Sequence, residues 1–128
     1  MIYVSVDEVI LLQEKLINRY GGLEGIRDFG LLESSIKSIY QTFDGKELYP
    51  TILSKIVTVS YLLIKNHCFY DGNKRIAMML LLYLLKVNNI NHTLTNKDII
   101  NLGLSLASGS MSKDEYMRYI IEKVEVLD

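Results

Sequence analysis

Between Asn66 and Lys86 the chain reads NHCFYDGNKRIAMMLLLYLLK, setting an imidazole, a carboxylate, a glycine, an amide and two cations directly before a long apolar run. That order suits a phosphate site at the start of a helix. The free N–H groups of a helix's first turn and the positive end of its dipole attract anions, and Gly72 lets a ligand approach the main chain. Asp71 is of a type that caps such a helix. Asn73 offers a side-chain donor. Lys74 and Arg75 add two charges where cations are otherwise unfavourable by ~0.3–1 kcal/mol, which points to an anion partner. Asp71 has a second use, because Mg2+ on a nucleotide is commonly held by one or two carboxylates plus the phosphates themselves. His67 stands just upstream, and an imidazole can accept a proton from an attacking hydroxyl at neutral pH. Phe69 alternates with His67 and is expected to point into the core and anchor the loop.

Each of these residues also has a plainer reading. A lone histidine at a helix end is more often structural than catalytic, Asp71-Gly72 can be a turn, and Lys74 and Arg75 can be a solvated face. His67 and Asp71 could be metal ligands, but the one other histidine is His92 and the one cysteine is Cys68, so a zinc site would be short of ligands. The run from Met78 to Leu85 reads as a buried core helix, since a membrane span needs ~20 apolar residues. What favours chemistry is the concurrence of all these types in one short segment.

His67-Cys68-Phe69-Tyr70-Asp71-Gly72-Asn73-Lys74-Arg75 resembles the Fic signature, and its Lys-Arg ending is similar to the death-on-curing (Doc) branch of that family. Upstream, YGGLEGIRDFGLLESSI from Tyr20 to Ile36 resembles a second segment of the family, and QTFDGKELYP from Gln41 to Pro50 resembles the flap that follows it. The likeness runs from about Val6 to Val87. It implies that His67 is the general base for a Ser, Thr or Tyr hydroxyl, that Asp71 holds Mg2+, that Gly72, Asn73, Lys74 and Arg75 form an anion hole for ATP, and that Phe69 is structural. The backbone of a protein target would add to the flap, with Thr42, Phe43 and Leu48 as first contacts. The Doc branch implies phosphate transfer to elongation factor Tu, a block of translation, and control by a small antitoxin.

The departures bear on the reaction. Adenylyltransferases of the family continue GNGRxxR, whereas Lys74 replaces the glycine here and Met78 stands at the second arginine. Loss of that bidentate clamp leaves the nucleotide pose open between AMP transfer and transfer of the γ-phosphate. A non-catalytic, antitoxin-binding role in regulating its own operon is a third reading, against which stand His67, Asp71 and Asn73. Cys68 replaces a common proline. Many Fic proteins carry an inhibitory [ST]xxxE[GN] helix, but the one Glu here followed by Gly or Asn, Glu24, has Tyr20 four residues before it. Inhibition in trans is therefore expected.

The elements that must position these residues read as helices almost throughout. Ser5-x-x-Glu8 is a capping box, and Val6, Val9, Ile10, Leu16, Ile17 and Tyr20 share a face, so a first helix runs to Tyr20 and stops at Gly21-Gly22. Asp28 caps a second, with Leu31, Leu32, Ser35, Ile36 and Ile39 inward. Asp44-Gly45 marks a hairpin-like turn in the flap. Pro50 fits the first turn of a third helix that delivers His67 just past its end. The fourth follows Gly72, is apolar nearly all round, and ends near Asn88-Asn89. Thr95 with Asp98 starts a fifth, and Ser112 with Glu115 a last one. The expected fold is an all-α, Fic-like bundle around a central apolar helix with a short flap, in a single domain over 1–128.

Composition agrees with this. The 128 residues are 49% hydrophobic with a formal net charge of -1, so no basic field favours direct nucleic-acid binding. One cysteine cannot form an internal disulfide, and the opening MIYVSVDEVI lacks the basic stretch of a signal peptide, so a cytoplasmic protein is expected.

Overall fold

The computed structural model describes residues 1–124. Six helices follow one another: α1 (Val6–Tyr20), α2 (Phe29–Lys37), α3 (Ile52–Lys65), α4 (Asn73–Val87), α5 (Asn96–Ser108) and α6 (Lys113–Lys123). A 3-10 turn (Ser38–Tyr40) and a hairpin of β1 (Thr42–Phe43) and β2 (Lys46–Glu47) lie between α2 and α3. No helix among the described residues is long and apolar enough to cross a membrane. The all-α bundle with a small flap is the expected fold.

Local chemistry sets the helix starts. Ser5 and Glu8, Thr95 and Asp98, and Ser112 and Glu115 form reciprocal capping boxes, and the Asp28 carboxylate accepts from the Leu31 N–H at 3.0 Å. α3 differs from expectation at its start. Thr51 is its cap, paired reciprocally with Ser54, so Pro50 lies just outside rather than in the first turn.

The centre is shared by α3 and α4, which pack against each other more extensively than any other pair, and α3 also touches α2, α5 and α6. On α3 every residue from Lys55 to Ser60 is buried, as are Leu63 and Ile64. Ile76, Ala77, Leu81, Leu84 and Leu85 of α4 are fully enclosed. Burial of such a side chain contributes roughly 1.5–3 kcal/mol, which is what makes this pair the scaffold for the loop between them. Ser60 and the buried Tyr116 of α6 meet at 2.7 Å, and burial raises the Tyr116 phenol above its usual range. α5 packs on α4 with Gly103 facing Met78, where a Cβ would stand 3.5 Å from Met78 Cγ, an ordinary contact.

Two expectations about burial are corrected. α4 is not enclosed all round, since Met79 and Tyr83 are 42% and 44% exposed in a strip that α1 and α5 leave uncovered. Tyr20 is 54% exposed, because α1 stops at Gly21 and the ring is turned toward Arg75 instead of the core.

The caps of α5 and α6 make stability pH-dependent. Hydrogen bonds from Thr95 hold the Asp98 carboxyl below its ordinary range, and those from Ser112 do the same for Glu115. A carboxyl lowered by folding stabilises above its unfolded pKa and loses that contribution as pH falls through the folded one. Thermal midpoints are therefore expected to fall as pH drops below about 4. Asp98→Asn with Glu115→Gln should lower the midpoint at neutral pH and flatten that acid slope.

Candidate active site

The loop from Asn66 to Gly72 leaves α3 and enters α4 through two left-handed residues. Asn66 is the C-cap of α3, and His67 follows at φ 46°, a conformation uncommon outside glycine. Gly72 takes φ 83° and is the N-cap of α4. Between them Phe69 is buried, as expected, and Cys68 is fully buried; burial pushes its thiol up, against a contact with the Ser35 hydroxyl that acts the other way. His67 itself is exposed.

A second segment shapes this loop. The chain between α1 and α2 lies beside it, with Ile26 and Phe69 forming an antiparallel bridge. The Tyr70 N–H donates to Gly25 O at 3.2 Å, and the N–H groups of Arg27 and Asp28 both donate to Cys68 O, at 2.7 and 3.1 Å. The Arg27 side chain adds a fork, with Nε donating to His67 O at 2.6 Å and Nη2 to Asn66 O at 2.9 Å. The Leu23 N–H donates to Asp71 Oδ2 at 2.6 Å. Buried Gln13 reaches from α1, its Nε2 within 3.4 Å of both Leu23 O and Asp71 O. Gly22 permits this approach, since a Cβ there would lie 3.0 Å from Ile17 Cδ1 and 3.3 Å from Asp71 Cβ, at φ 116°.

These contacts correct two readings. Asp71 does not cap α4, because its carboxylate is engaged by Leu23, and no side chain caps that helix. Among the described residues every other α-helix has a side-chain cap. The Asn73 side chain is not turned to an anion either. Its Oδ1 accepts from the Phe69 N–H at 3.1 Å and its Nδ2 donates to Phe69 O at 2.9 Å, so what it offers a ligand is its main-chain N–H. The first turn of α4 thus presents uncapped N–H groups beside Lys74 and Arg75, an arrangement that suits an anion. The Arg75 guanidinium stacks 4.1 Å above the Tyr20 ring, which fixes its plane. From this turn a cleft of about 440 Å³ runs between α4 and α5, walled by Met78, Met79, Ile99, Ile100, Gly103 and Leu104.

The flap lies between the 3-10 turn and α3. Asp44 and Gly45 both have positive φ, 53° and 76°, which fits a tight hairpin turn, and Thr42 pairs with Glu47 and Phe43 with Lys46. Thr42, Phe43 and Leu48 are exposed, Phe43 by 75%. The base of the flap is held. Buried Lys55 donates to Tyr49 O and sits 3.3 Å from Glu47, while Lys113 lies 4.2 Å over the Tyr49 ring.

A model of the Fic/DOC family matches residues 3–85. A protein of Escherichia phage P1 named "Protein kinase doc" is 32% identical over 114 residues, which cover 88% of this chain and 87% of that protein. "Toxin Doc" of Mycolicibacterium smegmatis is 32% identical over 71 residues, 56% of this chain and 55% of that protein. The chain belongs to the Fic/DOC family, the family that its loop and flap resemble.

Sequence reasoning missed Gln13, Leu23 and Tyr20 as neighbours of this loop, and left Arg27 open between a solvated position and one near the nucleotide; its side chain braces the loop. The Asn73 clamp gives a direct test. Asn73→Ala leaves the Phe69 N–H and carbonyl without these partners, and a loss of about 1–3 kcal/mol is expected. Urea unfolding should show a lower midpoint at an unchanged slope.

Proposed function

We propose that this protein is the toxin of a toxin–antitoxin pair, a transferase that moves phosphate from Mg-ATP to a Ser or Thr hydroxyl of a protein target. The observation that carries this reading is the uncapped start of α4, flanked by Lys74 and Arg75 and one loop away from His67. The names of the two relatives support kinase activity and toxicity. Elongation factor Tu is the target that the family resemblance points to, and action on a translation factor makes the protein cytoplasmic.

The residues divide the work as follows. The first-turn N–H groups of Asn73, Lys74 and Arg75, with the two side-chain charges, bind and orient the phosphates, so that positioning and charge stabilisation do most of the catalysis. Asp71, whose Oδ2 accepts from the Leu23 N–H, would hold Mg2+. When bound, the ion neutralises phosphate charge. His67 takes the proton from the target hydroxyl as its oxygen bonds to the γ-phosphorus, and the bond to the β-phosphate oxygen breaks to release ADP. The flap, anchored at Lys55 and exposed at Thr42, Phe43 and Leu48, lays the target backbone alongside β1 or β2.

A kinase is favoured over an adenylyltransferase because Met78 is 4% exposed in the α4–α5 contact and supplies no clamp for the outer phosphates. The antitoxin is proposed to act in trans. The test is intact mass of elongation factor Tu after incubation with this protein, Mg2+ and ATP. A gain of one phosphate that disappears with His67→Ala is expected. A gain of one AMP would replace the kinase reading with adenylyl transfer, and a gain unaffected by His67→Ala would remove that residue from the mechanism.

A further inference from the structure

We propose that Arg27 is a positioning residue for His67: its guanidinium grips the carbonyl oxygens of Asn66 and His67 and so sets the left-handed turn that aims the imidazole. The inference rests on the transferase reading above and adds to it a residue outside the catalytic loop.

Three successive carbonyls, those of Asn66, His67 and Cys68, are taken by one residue. Arg27 Nη2 and Nε bind the first two at 2.9 and 2.6 Å, and its main-chain N–H binds the third at 2.7 Å. This is the end of α3, where carbonyl oxygens have no helical partner and the dipole favours a cation. No carboxylate pairs with Arg27 among the described residues, so the guanidinium is not drawn elsewhere. A chain left to itself avoids φ 46° at a histidine, and the fork supplies what holds it there. The planar fork reaches two carbonyls at once, whereas a lysine carries a single ammonium point.

A positioning role predicts a loss in turnover without a loss in nucleotide affinity. Arg27→Lys keeps the charge and loses the fork; Arg27→Ala loses both. In the intact-mass assay both variants are expected to lower kcat by about a hundredfold while KM for ATP stays within about twofold. Guanidinium ion added to Arg27→Ala should restore part of the rate. Hydrogen exchange at the amides of residues 66–70 should quicken in both variants, with the helix cores unchanged. Full activity of Arg27→Lys would overturn the proposal by showing that charge suffices. A raised KM at unchanged kcat would make Arg27 a nucleotide contact, and faster exchange throughout would make it a general support of the fold; either overturns it. If the wild type transfers nothing to the target, the transferase reading fails on its own, and exchange still decides whether Arg27 braces this turn: unaltered exchange at 66–70 in Arg27→Lys would sink it.

Discussion

A loop that must hold a base, a carboxylate and an open helix end in fixed relation needs its own backbone held, and here another stretch of backbone holds it. The segment between α1 and α2 meets the loop between α3 and α4 at almost every step, from Leu23 on Asp71 through Gly25 on Tyr70 to Arg27 on the carbonyls of residues 66 to 68. Irregular backbone that is partly buried must find such partners or lose the free energy of unmade hydrogen bonds. The helices supply the anchors, since Gln13 fixes one end from α1 and Asp28 starts α2 at the other.

The start of α4 shows how the fold gives up local stability at the site. Elsewhere each helix closes its first turn with its own Ser, Thr or Asp. At α4 the residue of the right type, Asp71, is drawn off to Leu23, and Asn73 is drawn back to Phe69. The main-chain donors of that turn are left without a side-chain partner. Stability is recovered one turn further on, where Ile76, Ala77, Leu80 and Leu81 are enclosed by the neighbouring helices.

What could be read from the sequence was what local chemistry decides. Ser5 with Glu8, Thr95 with Asp98, Ser112 with Glu115 and Asp28 announced four helix starts, because a cap and its partner are three residues apart. Asp44-Gly45 announced the hairpin for a similarly local reason. Several of the misreadings involve partners distant in sequence. Nothing near Asp71 signals that Leu23 will claim its carboxylate, nothing near Tyr20 signals Arg75, and Gln13 looks like any polar residue on a helix until it is found buried against the loop. Arg27 was partly visible through the Ile26-Arg27-Asp28 segment, but its direction was not. Pro50 was placed one step too far inside α3 because Ser54 is a less familiar capping partner than Glu.

The nine residues from His67 to Arg75 look like a portable unit, short and self-contained on the page. Their hydrogen-bond partners include residues 40 to 58 positions earlier in the chain. Spliced between two helices of an unrelated bundle, the same nine residues would carry their side chains without the neighbouring backbone that bends them. The shape of these nine residues therefore belongs as much to the segment between α1 and α2 as to their own sequence.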